Sequence, residues 1–521
     1  MADSVIAITL RLTLGGAVIF ALLIFSFGTA AAVASKGDGF GTLVLADFSA
    51  IWFTIWQALV SAILSVCLAI PVSRALWRQN FFGRRALIIL LGAPFILPVL
   101  VGVLGLLAVF GRSGWISELL LFFGLGRLSI YGAFGVILAH VFFNLPLATR
   151  LLLQGWSAVP GEKFRVADSL GSNSWAKFLL IEWPMLRGAI PGAFVLIFLL
   201  CLTSFTVALA VGGGPRGTTI ELAIYQAFRF EFDLGKAASL ATVQFGICVT
   251  VAFLACLVPL PKLGGIGLDR LVQQFDAWKH RKLDLIWISG AAAFLILPLA
   301  AILFRGLGNI LTLPGQVLAA SITSLLIALI STAVCICLAL VLSLSLAHSR
   351  LNTQKIAEGI SILGLSTSPL VVGTGLFLMI FPFVHPASLA IPVTAFVNAM
   401  MAMPFVLRVL MPAVREIYND YLHLRLSLNM GRGVWLMRIV FPRLRRPIGF
   451  SVGLVAALSM GDFGVIALFS DPELQTLPLM LYRLMGAYRM DQAAAVAVVL
   501  VAQSLFLFWI FDQGGRRHSV S

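Results

Sequence analysis

Long apolar runs without charge alternate with short polar, mostly basic segments along this chain. A membrane helix needs about 20 predominantly apolar residues. Runs of that order lie at 12–35, 48–73, 86–111, 128–149, 188–215 and 237–261. A second set lies at 285–304, 318–347, 359–384, 387–407, 447–470 and 492–511, interrupted only by Asp462. The pair 359–384 and 387–407 is divided by a short segment around Pro382 and His385-Pro386. The pattern predicts an all-α membrane protein of about twelve transmembrane helices. At the first run, Ala30-Ala31-Ala32-Val33-Ala34 offers a small-x-small cleavage pattern. That run is longer than a signal core, and Arg11 is its one preceding basic residue, so the run is expected to stay as a span.

Composition agrees with lipid as the solvent. Hydrophobic residues make up 60% of the 521 and charged residues 11%, against roughly 25% charged in soluble domains. Mean hydropathy is +1.04. So few polar residues cannot coat a water-soluble exterior. The net charge of +15 would suit nucleic acid if it formed a patch, but its distribution says otherwise. Twelve spans put both termini and the loops 74–85, 150–187, 262–284, 350–358 and 408–446 on one side. That side carries 27 of the 36 Lys and Arg residues. Basic residues stay inside, so both termini are expected in the cytoplasm. The expected location is a bacterial inner membrane, with the lipid bilayer as a partner and no nucleic acid. The six cysteines, among them Cys335 and Cys337, sit inside apolar runs. They fit small packing residues better than disulfides or a metal site.

The chain also repeats itself. His140–Arg150 aligns with Asn398–Arg408 at an offset of 258, sharing Pro146 with Pro404 and the terminal arginine. The same offset carries Ile181-Glu182-Trp183-Pro184 onto Ile439-Val440-Phe441-Pro442, and Thr219–Tyr225 matches Thr476–Tyr482 at 257. This predicts two parallel six-helix repeats, 1–261 and 285–521, joined by a cytoplasmic linker at 262–284. Parallel repeats are a common transporter architecture, with the pathway at their interface.

The longest inward loops follow the fourth span of each half. The first, from Val159 to Pro184, predicts a short helix, a turn at Gly171 and a second amphipathic stretch stopped by Pro184. It resembles the EAA loop of ABC-importer permeases, with Gly171, Ile181 and Pro184 on the motif and Arg165-Val166-Ala167 in place of Glu-Ala-Ala. The second loop is similar in its Ile439 and Pro442, with His423-Leu424-Arg425 at the acidic-alanine positions and Asn429 at the glycine. Asparagine is the next-best residue at positive φ. The resemblance implies that each loop docks on a cytoplasmic ATPase.

Longer stretches at Leu138–Pro146, Gly212–Gln226 and Ser459–Phe469 resemble the thiamine permease family, fused twelve-span relatives of the ferric-iron permeases. The resemblance runs over nearly the whole chain. It implies a permease for thiamine, two copies of a cytoplasmic ABC ATPase subunit and a periplasmic thiamine-binding protein. The chain lacks a Gly-x-x-x-x-Gly-Lys-Ser/Thr cradle. No cofactor and no catalytic or metal-binding residue is therefore expected here, and ATP-Mg would sit on the partner ATPase. A permease for ferric iron or another small solute stays open. An ion-coupled secondary transporter fits less well, because such proteins carry ionisable residues within their spans. Asp462 is either a pathway acid for a cationic substrate or a structural acid at a bend near Gly461 and Gly464. His140 and Asn144, one turn apart, either bond neighbouring helices or contact substrate.

Overall fold

The computed structural model describes residues 15–36, 44–214, 217–256, 281–347, 368–469 and 474–516. Most of the expected linker (262–280) and part of the expected span 359–384 lie outside the described residues. Every regular element among those described is a helix. Ten are long and apolar enough to cross a membrane, which makes the chain an all-α, multi-pass membrane protein.

In chain order the main helices of the first half are α1 (Thr29–Lys36), α2 (Leu45–Arg78), α3 (Val99–Phe110), α4 (Ala133–Ala158), α5 (Gly161–Ser169), α6 (Trp183–Leu202), α7 (Phe205–Val211) and α8 (Leu234–Cys256). There follow α9 (Arg281–Leu307), α10 (Gln316–Leu346), α11 (Pro369–Ile380), α12 (Ala390–Ser427), α13 (Phe441–Met460), α14 (Gly464–Phe469), α15 (Leu477–Gly486) and α16 (Met490–Arg516).

Proline placement explains where spans break. The run 86–111 is not one helix but three pieces, Arg84–Leu90, Ala93–Ile96 and α3. Pro94 and Pro98 withhold the amides a continuous helix would need, and Pro98 caps α3. In the same way α4 stops before Pro160, whose predecessor Val159 is held extended at φ −75° and ψ 125°. At the offset of 258 the residue is Tyr418. With an ordinary amide there, α12 runs unbroken through the corresponding turn.

The helices gather into two compact units. One comprises 44–223 with 250–311 and the other 1–43 with 224–249 and 312–521. Each unit therefore takes helical material from both sequence halves. In the first unit α2 and α4 pack along their length, α6 covers both, and α9 lies against α2 and α3. Its core holds Trp77, Trp156, Phe142 and Phe164, all fully buried. In the second unit α10, α12 and α13 pack mutually, α16 lines α13, and α11 lies on α1.

A close helix–helix approach in the second unit rests on two glycines one turn apart. A Cβ at Gly449 of α13 would sit 2.6 Å from the Phe511 carbonyl oxygen and 2.9 Å from Gly515 Cα of α16. At Gly453 it would meet the Phe508 carbonyl oxygen at 3.0 Å. Lipid supplies no hydrophobic drive between helices, so such small-residue seams are where backbones gain contact. Gly449→Leu should therefore wedge α13 from α16 at a cost of about 1–3 kcal/mol. Gly290→Ala, in open surroundings, should be silent. Thermal stability and yield of the solubilised protein check this, and equal behaviour of the two variants would refute the seam.

Candidate functional site

From the turn onward the two EAA-like segments fold alike, position for position. In the first, α5 ends at Ser169 and Gly171 takes the left-handed conformation at φ +68°. The Ser172 amide donates to the Ala167 carbonyl at 2.9 Å and the Gly171 amide to Asp168 at 3.0 Å. That pair of reverse bonds is a Schellman turn. In the second, Asn429 takes φ +45°. The Met430 amide donates to Arg425 at 3.0 Å and the Asn429 amide to Leu426 at 3.2 Å. Asparagine thus holds the turn that glycine holds in the other copy.

Beyond each turn comes one helical turn (Ser174–Lys177; Arg432–Trp435), then a π-turn (Phe178–Glu182; Leu436–Val440), then α6 or α13. Every one of these positions corresponds at 258. Asn173 caps the first by accepting from the Ala176 amide at 2.8 Å.

The expected stop at Pro184 is not found. The chain passes through Pro184 into α6, and through Pro442 into α13. A proline ring collides with the carbonyl four residues back and offers it no amide. The π-turn widens the helix just there, with the Trp183 amide reaching back to Phe178 and the Phe441 amide to Leu436. The stretch after each turn and its span therefore form one continuous rod.

The two segments are anchored by different chemistry. Phe164 of α5 is buried against Trp77, with ring centroids 4.9 Å apart, and Trp77 stacks near Trp156. Arg74 of α2 grips Glu182 twice, Nε to Oε2 at 2.6 Å and Nη2 to Oε1 at 2.9 Å, and lies over the Phe178 ring. Lys177 pairs with Asp168 across the turn. One turn along α2, Arg78 meets Asp284 at 2.5 Å, and Gln79 donates to the same carboxylate at 2.8 Å. The second segment instead rests on an apolar cluster of Tyr418, Trp435, Ile439, Val440 and Leu444, with Leu344 against it. Cations there lie on ring faces, Arg425 over Trp435 and Arg443 over Tyr421.

Of the motif residues in the first segment, Arg165, Val166, Gly171 and Pro184 are exposed, and Ala167 and Ile181 half-buried. In the second, His423, Leu424 and Asn429 are exposed, Arg425 and Pro442 half-buried, and Ile439 buried. Large apolar side chains stand out beside the turns: Leu170 and Trp175 in one, Leu426 and Leu428 in the other. The arrangement offers two outward apolar knuckles on rigid turns.

The other polar concentration is a paired break inside the spans. α6 and α7 are interrupted at Thr203-Ser204, and α13 and α14 at Gly461-Asp462-Phe463. Asp462 stands 258 residues after Ser204. Its carboxylate faces the backbone amides of Phe463, Gly464 and Val465 and the Asn398 side chain, with Oδ2 buried and without a hydrogen-bond partner. Asn398 Nδ2 also donates to Ser459 Oγ at 3.1 Å. A small cavity here is lined by Asp462 itself, by Ser324, Thr394, Ser459 and Thr476, and by the apolar Ile327, Met460 and Ile466. In the first half, His140 Nδ1 meets Ser61 Oγ at 3.4 Å and Asn144 Nδ2 meets Cys201 Sγ at 3.3 Å. Both residues bond neighbouring helices. Thr54 Oγ1 accepts from the Ile220 amide at 2.8 Å, and Ser324 Oγ from the Leu477 amide at 2.9 Å. This sets Ser324 of α10, 270 residues on, as the counterpart of Thr54 of α2.

Sequence reasoning missed Thr54, Ser324, Asn398 and Ser459, because uncharged side chains inside apolar runs carry no signal of their own. The repeat alignment could have found Asn398 and Ser459, which fall on His140 and Cys201. Among the described residues no group of three or more His, Cys, Asp or Glu is placed to hold a metal. Cys335 is buried and Cys337 exposed, on different faces of α10.

The geometry makes Asp462 a helix cap. Asp462→Asn keeps an accepting oxygen and should leave the amount of folded protein near wild type. Asp462→Leu removes it and should destabilise by about 1–2 kcal/mol. Quantified membrane insertion and thermal melting separate the two. An Asn variant as damaged as the Leu variant would show that the charge, not the cap, is required.

No model of a known protein family matches the chain. Close full-length relatives exist nonetheless. The thiamine transport system permease protein ThiP of Salmonella typhimurium is 39% identical over 479 residues, covering 90% of this chain and 89% of the relative. That of Escherichia coli is 38% identical over 489 residues, covering 90% and 91%. That of Brucella abortus is 36% identical over 515 residues, covering 96% and 94%.

Proposed function

The chain belongs to the family of thiamine transport system permease proteins, and from that premise we propose that it is the membrane-spanning permease of an ABC importer for thiamine. The observation that carries this is identity of 36–39% over nine-tenths or more of the chain. The protein is a permease subunit and not an enzyme, with ATP hydrolysed, in this reading, on separate subunits that hold ATP-Mg.

The finer reading is a twelve-span permease of the bacterial inner membrane. It is built of two parallel six-helix repeats, 1–261 and 285–521, joined by the linker 262–284. The repeated turns at Gly171 and Asn429, with their matching Schellman bonds, support a duplication. The excess of Lys and Arg on one side supports cytoplasmic termini. With one docking segment per half, one copy of this chain engages two ATPase subunits, and a periplasmic thiamine-binding protein delivers substrate at the opposite face. The exposed residues Arg165, Val166, His423 and Leu424, and the turn residues Gly171 and Asn429, form the contact with the ATPases. Closure of the ATPase pair draws the two segments together and rocks the pathway from inward-open to outward-open.

Asp462, His140 and Asn144 belong in this reading to the scaffold of the pathway. The Asp462 carboxylate sits at the amides that open α14, which favours a cap, while its buried Oδ2 is without a hydrogen-bond partner.

Thiamine with its binding protein should stimulate ATP hydrolysis by the reconstituted complex, and ferric iron should not. A complex stimulated by iron alone would defeat the substrate assignment and leave the importer architecture standing.

The turn itself should transmit force. Gly171→Val places a β-branched residue at positive φ, where it is strongly disfavoured. It should leave the chain inserted while lowering thiamine-stimulated hydrolysis. Wild-type stimulation in this variant would remove the turn from the coupling route.

A further inference from the structure

The anchoring of the first docking segment contains more charge than holding it in place requires. Glu182, Arg74, Arg78 and Asp284 form a chain of two ion pairs along one face of α2, the arginines one turn apart. Both carboxylates are almost wholly buried, and so is Arg78. Arg78 also feels the charges of Arg74 and Glu182, so each pair influences the other. At the far end stands Asp284, in the first turn of α9 and the last residue of the segment joining the two sequence halves.

The second half shows that the same joint can be made without charge. The Thr54–Ser324 correspondence places Leu344 at the position of Arg74, and the offset of 258 places Val440 at that of Glu182. Leu344 and Val440 belong to one apolar cluster. An apolar contact of this kind often stabilises as well as a buried ion pair or better. Packing alone therefore does not account for the charges, whereas a reciprocal link between two ends does.

We propose that Arg74 and Arg78 form a charge clasp that fastens the inter-half linker, through Asp284, to the first docking segment, through Glu182. The linker is then an input to coupling and more than a tether. When Asp284 lets go of Arg78, that cation competes for Glu182, the grip of Arg74 weakens, and the π-turn at Phe178–Glu182 loosens. Among the described residues the second segment has no such input, its joint being the apolar contact of Leu344 and Val440, so the two halves respond unequally to force on the linker. The functional part of this inference rests on the docking role proposed for the segment.

Asp284→Asn tests the clasp from its remote end, without touching the segment. In the full chain with its ATPase, it should speed amide hydrogen exchange across 174–182. It should also lower the ratio of thiamine-stimulated to basal ATP hydrolysis by roughly two- to thirty-fold, the range of coupling changes seen along such networks. Arg74→Leu with Glu182→Val copies the second half. In that background Asp284→Asn should have no further effect on either reading, because its route to the segment is gone. Wild-type exchange and ratio in Asp284→Asn would overturn the clasp. So would an undiminished effect of Asp284→Asn in the Leu–Val background, which would mean that it acts by another route. Leu170→Asp separates the two layers, since it charges the outward face and leaves the clasp alone. If it fails to lower stimulation, the docking role falls and the transmitted output falls with it, while the exchange measurement still judges the mechanical link on its own.

Discussion

Hydrocarbon offers a peptide group no water, so any backbone that leaves a helix within the membrane must be met by another part of the protein. The rest of this structure follows from how that demand is met. Where a span breaks at Gly461–Phe463 and where the helices at Ile220 and Leu477 begin, side chains take over part of the work of the missing helix. Asp462 caps the amides that open α14. Thr54 and Ser324 receive the amides of Ile220 and Leu477. Where proline would interrupt the rod at Pro184 and Pro442, a wider turn moves the hydrogen bonds to a longer register.

The two sequence halves meet the same demand with different residues. The turns at Gly171 and Asn429 share their bonds and differ in side chain, while the joints beneath them share position and differ in chemistry. One is held by Arg74 and Glu182 and the other by Leu344 and Val440. Conformation has been kept where only the backbone could supply it, and chemistry has drifted where alternatives of similar size exist.

Much of this was legible in the sequence. Run length gave the membrane class, and positive φ at both turns could be expected from Gly171 and from Asn429 as its substitute. The bonds of His140 and Asn144 to neighbouring helices were one of two readings their spacing left open. What stayed hidden has physical causes. Pro184 suggests a stop because proline opposes an α-helix, and nothing in the sequence says that a π-turn will absorb it. The grouping of α9 with the first half's helices is a long-range packing choice that no local pattern encodes. Arg74 and Glu182 stand 108 residues apart, and each alone looks like an ordinary loop charge.

The uninterrupted passage from each turn into its span gives α6 and α13 the geometry of levers. A helix of 20 residues is about 30 Å long. A tilt of about 5° imposed at the turn would carry its far end through roughly 3 Å, by that length. Stiffness, in this view, lets a small rotation on one side of the membrane widen a passage on the other. The gain of such a lever is set by where it is held: a firm hold near the turn turns a push into rotation, and a yielding one turns it into sliding. The salt-bridged rod and the grease-bedded rod therefore need not swing through equal arcs.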